Sequence, residues 1–216
     1  MTQHLFLLRH GEVTSHRGDV PVTEAGLKIA AETGQRLAKR AQSIRVISGE
    51  TRRTRDTATA LAQGARDAGA EVIEDGVAFA LRNPDLYLAG VRVDMVSSEA
   101  AFAAQVPGLE AADIARAPFF VEWLSVPDRV GWWVAHQHPP GDDAAAVATR
   151  IRTFAASLAD RADATLTVGV THSPVLRACA LSVAGVDPGE PNWLAGLQAE
   201  ISPDGSVSMR VIAEAP

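Results

Sequence analysis

The sequence predicts an α/β fold: three layers, α/β/α, around a mainly parallel sheet, with a helical insertion over the edge where a site would lie. Short apolar runs at Leu5-Phe6-Leu7-Leu8, Ile44-Arg45-Val46-Ile47 and Leu166 to Val170 read as strands. Longer segments with apolar residues at helical spacing separate them, so strand and helix alternate along the chain. With 216 residues the chain can bury a sizeable core. It is read as one domain, 1–216, carrying an insertion at about 81–141.

Each element has a local reason. Residues 3–9 form a buried strand bounded by Arg9-His10-Gly11, too short an apolar run for a helix. Thr23 caps a helix running to about residue 42, with Glu24 in its first turn and Lys39 and Arg40 near its end, as the helix dipole favours. A second helix starts near residue 52, with Ala58, Leu61, Ala62 and Ala65 on one face and Gly69 as its stop. Glu71 to Val77 reads as a third strand. The 81–141 stretch is the least regular, holds three of the four Trp residues, and shows helical pieces near 96–105 and 110–124. Val147, Ile151, Phe154 and Leu158 mark the apolar face of a later helix, capped by Asp142 or Asp143. After the strand to Val170, Ser173 reads as an N-cap with Pro174 at the first helical position. Val175, Leu176, Cys179, Ala180 and Val183 form the inner face of that helix. A hairpin, Gln198 to Ile201 and Val207 to Ile212, turns around Pro203-Asp204-Gly205.

A net charge of −6 argues against a nucleic-acid or anionic-membrane partner, though a local cluster of Arg can still hold a small anion. One cysteine, Cys179, allows no internal disulfide, and no Cys/His metal motif is present. The start of the chain lacks a basic segment followed by a long apolar one, so the expected setting is cytoplasmic.

Three strand-to-helix junctions carry anion-binding chemistry: Arg9-His10, then Arg52-Arg53-Thr54-Arg55, then His172. In an open α/β sheet such junctions gather at the carboxyl ends of the strands, where ligands bind. Guanidinium forks and helix N-termini suit an anion, and a histidine of fixed tautomer is a competent phosphoryl nucleophile. A lone histidine at a strand end is more often a satisfied structural residue; three such junctions in order shift the reading to a site. Arg52 and Arg55 fit a solvated helix face, and His136 and His138 fit a surface pair with no third ligand. Trp132-Trp133 fit packing, and Cys179 an inert core thiol.

Arg9-His10-Gly11-Glu12, Thr23-Glu24-Ala25-Gly26, Arg53-Thr54-Arg55-Asp56-Thr57-Ala58 and Val170-Thr171-His172-Ser173 together resemble the successive motifs of the histidine phosphatase superfamily, the phosphoglycerate mutase-like group. Gly141-Asp142-Asp143 with Arg150 resembles a further family motif, with acidic substitutions. The resemblance covers roughly residues 4–60 and 140–180. It implies that His10 attacks phosphorus and becomes a phosphohistidine, that Arg9, Arg53 and His172 hold the phosphoryl oxygens, and that no metal or other cofactor is needed. Arg53 is chosen over Arg52 because it sits four residues before Thr57. Many members carry a proton-donating Glu where this chain reads Leu81-Arg82-Asn83-Pro84-Asp85, so Asp85 is taken as the substitute donor, ahead of Glu12 and Asp94. Ser173 stands where other members place an Asp after the second His.

The expected activity is hydrolysis of a small phosphorylated metabolite through phosphohistidine. A mutase, a protein-phosphohistidine phosphatase and a non-catalytic phospho-ligand binder are the alternatives. The sequence names neither the substrate nor an oligomeric state.

Overall fold

The computed structural model describes residues 1–15, 18–161 and 166–216. Strand β1 (Gln3–Arg9) leads to helix α1 (Glu24–Ala38), strand β2 (Ser43–Ser48), helix α2 (Arg52–Asp67) and strand β3 (Glu71–Val77). Strands β4 (Leu86–Leu88) and β5 (Val91–Val93) form a small separate hairpin. Helices α3 (Glu99–Ala103), α4 (Pro118–Ser125) and α5 (Arg129–Ala135) follow, with a 3-10 turn at Ala111–Arg116. Helix α6 (Ala144–Ser157), strand β6 (Leu166–Thr171), helix α7 (Ser173–Ala184) and the hairpin β7 (Gly196–Ile201) and β8 (Val207–Ile212) complete the chain.

The main sheet has the order β3-β2-β6-β1-β7-β8. Its first four strands are parallel, while β7 runs antiparallel to both β1 and β8. Side chains alternate across β1, as strand geometry requires. Leu5 and Leu7 join a core with α6, α7 and the 81–141 helices, and Phe6 and Leu8 join a second core with α1 and α2. These two cores make the three layers.

Helices α1 and α2 pack backbone to backbone. A Cβ on Gly34 would lie 2.0 Å from the Leu61 carbonyl oxygen, and one on Gly64 would lie 2.0 Å from that of Ala31. Nothing flexible can give way there. Gly64→Ala is therefore expected to force the helices apart and cost about 1–3 kcal/mol, as overpacking does. Urea unfolding measures it; an unchanged midpoint would contradict the close approach.

Several local expectations are corrected. Helix α1 ends at Ala38 and not near 42, because the chain must unwind before β2 begins at Ser43; Lys39 and Arg40 close the last turn onto Arg36 and Leu37. The 110–124 piece is a 3-10 turn and then α4, separated at Ala117-Pro118, since proline starts a helix more readily than it continues one. The 96–105 piece is the shorter α3, capped by Ser98. Asp143, not Asp142, caps α6 by accepting from Ala146 N–H. His172 is the N-cap residue of α7, and Ser173 is already helical, its hydroxyl donating to Glu190 at 2.5 Å. Val183 is exposed because the last turn of α7 runs beyond the core. Among the described residues no helix is long and apolar enough to cross a membrane.

Candidate active site

The pairing of β2, β6 and β1 side by side brings the three junctions together. Gly49 N–H donates to Val170 O and His10 N–H to Thr171 O, so the chain leaves all three strands at one edge. A cavity of about 530 Å³ opens there, and Arg9, His10, Arg53 and His172 all line it. Four of the five residues assigned to the site from sequence are thus brought into one cavity.

His10 is held by local bonding. Its Nδ1 lies 2.8 Å from the Gly11 carbonyl oxygen, which can only accept, so Nδ1 carries the proton and Nε2 the lone pair. The Gly11 N–H in turn donates to Thr57 Oγ1 at 2.8 Å, and Thr57 donates to Arg53 O at 2.7 Å. That explains the threonine four residues after Arg53: fully buried, it ties the His10 turn to the start of α2. His10 is 3% exposed, with its ring centroid 5.6 Å from that of His172.

His172 Nδ1 lies 3.4 Å from Arg53 Nη2. A guanidinium only donates, so Nδ1 accepts and Nε2 bears the hydrogen. Burial lowers the Arg53 pKa, and the charges of Asp19, Asp94 and Glu50 act against that. None of those carboxylates reaches ion-pair distance of Arg53 among the described residues.

Arg9 is more committed. Its Nη2 meets Glu190 Oε1 at 2.5 Å, its Nη1 donates to Pro191 O at 2.6 Å, and its Cζ lies 3.5 Å above the Trp193 ring. Burial lowers its pKa to about 10, with Glu190 opposing and Arg53 assisting, so it stays charged at neutral pH. The Glu190–Trp193 loop is the part of the site that sequence reasoning missed. Its one signal was a lone Trp and a Glu in a Gly/Pro-rich loop after α7.

Asp85 is not brought to this cavity. Arg82 and Arg92 hold its carboxylate, outweighing the upward push of burial and keeping it below the usual carboxylate range. Glu12 is likewise turned away, accepting from the Thr23 hydroxyl at 3.0 Å. Asp94 lines a neighbouring cavity that shares Arg53, Met95 and Val96 with the first. Asn83 does line the main cavity.

The Gly141-Asp142-Asp143 motif braces the Asn83 segment. Asp142 Oδ2 accepts from Asp85 N–H at 3.1 Å and from Arg150 Nη1 at 2.8 Å, while Arg150 Nη2 donates to Arg82 O at 2.9 Å. Gly141 sits at φ 144°, and a Cβ there would lie 2.0 Å from Asp85 O. Only glycine fits that crossing.

A second brace closes the other side. Arg177, 2% exposed on α7, forks onto both oxygens of Asp128 at 2.7 Å and reaches Asp187. Arg177→Leu is expected to cost about 1–3 kcal/mol through the loss of its charged hydrogen bonds. Hydrogen bonds from Arg177 lead in holding the Asp128 carboxyl below its ordinary value, against burial. A depressed carboxyl stabilises above its unfolded pKa, about 3.9, and that part is lost as pH falls through the lower folded value. The gap between wild type and variant should therefore narrow below about pH 4. Equal stability at pH 7 would contradict the brace.

His136 and His138 lie apart from the main cavity, and among the described residues no group of three or more His, Cys, Asp or Glu side chains is placed to hold a metal. Cys179 is buried and its thiol is pushed up to about 12 by desolvation.

Residues 5–76, about one third of the chain, match the family model of the histidine phosphatase superfamily (branch 1). The matched third contains His10, Arg9 and Arg53. No curated protein matches the chain by sequence. The fold is shared with solved structures along its whole length. A mycobacterial hydrolase aligns at TM-score 0.63 and 20% identity, covering 100% of both chains. A mycobacterial glucosyl-3-phosphoglycerate phosphatase in complex with inorganic phosphate aligns at TM-score 0.61 and 21% identity, over 99% of this chain and 97% of that one. A phosphoglycerate mutase from Bacillus anthracis aligns at TM-score 0.61 and 17% identity, over 99% and 94%. A phosphatase and a mutase thus both stand among the neighbours that share this fold.

Proposed function

We propose that the chain is a phosphomonoester hydrolase that works through a phosphohistidine at His10. The observation that carries this reading is the Nδ1 bond to Gly11 O, which leaves the lone pair on Nε2 of a histidine lining a cavity with Arg9, Arg53 and His172. His10 Nε2 attacks phosphorus, the bond to the leaving group breaks, and the pair departs with that group. Arg53 and the Nε2–H of His172 offer donors to the phosphoryl oxygens, with Arg9 behind them. Water then attacks the phosphoryl group, the P–N bond returns its pair to His10, and phosphate leaves. The cations fixed in the cavity supply the charge stabilisation, so the reaction is expected to proceed without a metal.

A non-catalytic phospho-ligand binder is the second reading. It is favoured by Glu190 on Arg9 and by the absence of Asp85 from the cavity. Incubation with p-nitrophenyl phosphate and a panel of metabolite phosphates, with and without chelator, separates the two. Chelator-resistant turnover is expected. Retained phosphate binding with no turnover of any phosphate would leave only the binder.

A further inference from the structure

A phosphatase site needs something to receive the electron pair of the departing oxygen. Two carboxylates line the main cavity among the described residues, Asp128 and Glu190, and both are engaged by arginine. Asp128 gives both oxygens to Arg177 and is held ionised by it. Glu190 has Arg9 on Oε1 and the Ser173 hydroxyl on Oε2, each at 2.5 Å. His172 accepts from Arg53 at Nδ1, which is the behaviour of a neutral ring. Proton-donating carboxyl groups are therefore missing from the described wall.

Asn83 is what the wall offers instead. It is 3% exposed, lines the cavity, and its Oδ1 is buried with no hydrogen-bond partner. That oxygen only accepts, so it offers nothing to a departing anion; what the amide can offer is its NH₂, which has no other hydrogen-bond partner among the described residues. The segment around it is clamped by Arg150 on Arg82 O and by Asp142 on both backbone groups of Asp85, so the amide cannot drift off to find another partner. An amide donates and accepts hydrogen bonds but has no proton to give up. Arg129 also lines the cavity. Met95, Val96, Trp123 and Val130 line the same cavity with apolar side chains, beside Ser15 and Ser97.

Resting on the hydrolase reading, we infer that this site takes phosphates whose leaving group departs as a stabilised anion, an aryl or acyl phosphate with an apolar body, and that the Asn83 NH₂ donates a hydrogen bond to that group. His10 Nε2 forms the bond to phosphorus, the P–O bond breaks, and the phenolate or carboxylate keeps the pair with no proton transferred. An alkoxide has no such stability and would need an acid, which the described wall lacks.

The test is kcat/KM over a leaving-group series: p-nitrophenyl phosphate, phenyl phosphate and benzoyl phosphate against glycerol phosphate and a hexose phosphate. Alkyl phosphates should run about 10²–10⁴-fold slower, the usual worth of a general acid. Asn83→Asp should narrow that gap by raising the alkyl rates, with an acid limb appearing in their pH profile. Alkyl turnover equal to aryl in the wild type would overturn the inference and leave the hydrolase reading standing. An unchanged gap in a folded Asn83→Asp would overturn the role of Asn83. Absence of turnover on the whole series would overturn the hydrolase reading and this inference with it. The wild-type series stands alone if the variant does not fold.

Discussion

His10→Ala is expected to lower turnover of p-nitrophenyl phosphate by on the order of 10⁶-fold, the scale seen when a covalent nucleophile is removed. The size follows from the bonding around the ring. Gly11 O fixes the Nδ1 proton, so the attacking atom is defined before substrate arrives. Among the described residues, Ser173 is bonded to Glu190, and Cys179 is buried away from the lining. The variant should still bind phosphate, because Arg9, Arg53 and His172 remain. Retention of more than a hundredth of the activity would assign the chemistry to another group.

Arg53→Ala should cost on the order of 10²–10³ in kcat, the effect of losing one preorganised donor to developing charge. It should cost more than the matching change at Arg9. Arg9 already shares its charge with Glu190 at 2.5 Å, whereas Arg53 has no carboxylate within ion-pair distance among the described residues. Arg53 also donates to His172 Nδ1, so its loss frees the second ring to turn. Arg53→Lys should recover little, since a point charge cannot contact both a phosphoryl oxygen and the imidazole as a fork does. Kinetics of the three variants on one aryl phosphate would check the order. A larger loss at Arg9 would contradict the idea that Glu190 partly neutralises it.

The parts of the fold legible in the sequence were those set by near neighbours. The Leu5–Leu8 run, the Thr23 cap and the apolar face of α2 each depend on residues within a turn or two, and each lies where expected. The hairpin β4–β5 and the break at Pro118 were not foreseen, because the 81–141 stretch mixes short elements whose form is set by packing on α6 and α7. Ser173 shows how a distant partner overrides a local rule: it has the chemistry of a cap, but Glu190 claims its hydroxyl.

The site divides in the same way. His10, Arg9, Arg53 and His172 lie at strand ends, and adjacent parallel strands bring strand ends together. Asp85 was chosen as the nearest carboxylate in sequence, yet Arg82 and Arg92 turn it onto themselves. The loop that brings Glu190 and Trp193 onto Arg9 is some 180 residues away in the chain, and no spacing rule reaches that far.

The central claim is that phosphorus is transferred to His10. Rapid quenching of the protein with excess p-nitrophenyl phosphate, followed by peptide mapping by mass spectrometry, tests it directly. One phosphoryl group per chain on the peptide carrying His10, acid-labile and absent from His10→Ala, is the predicted result. Turnover with no phosphorylated histidine at any time point, or with the group on another residue, would contradict it.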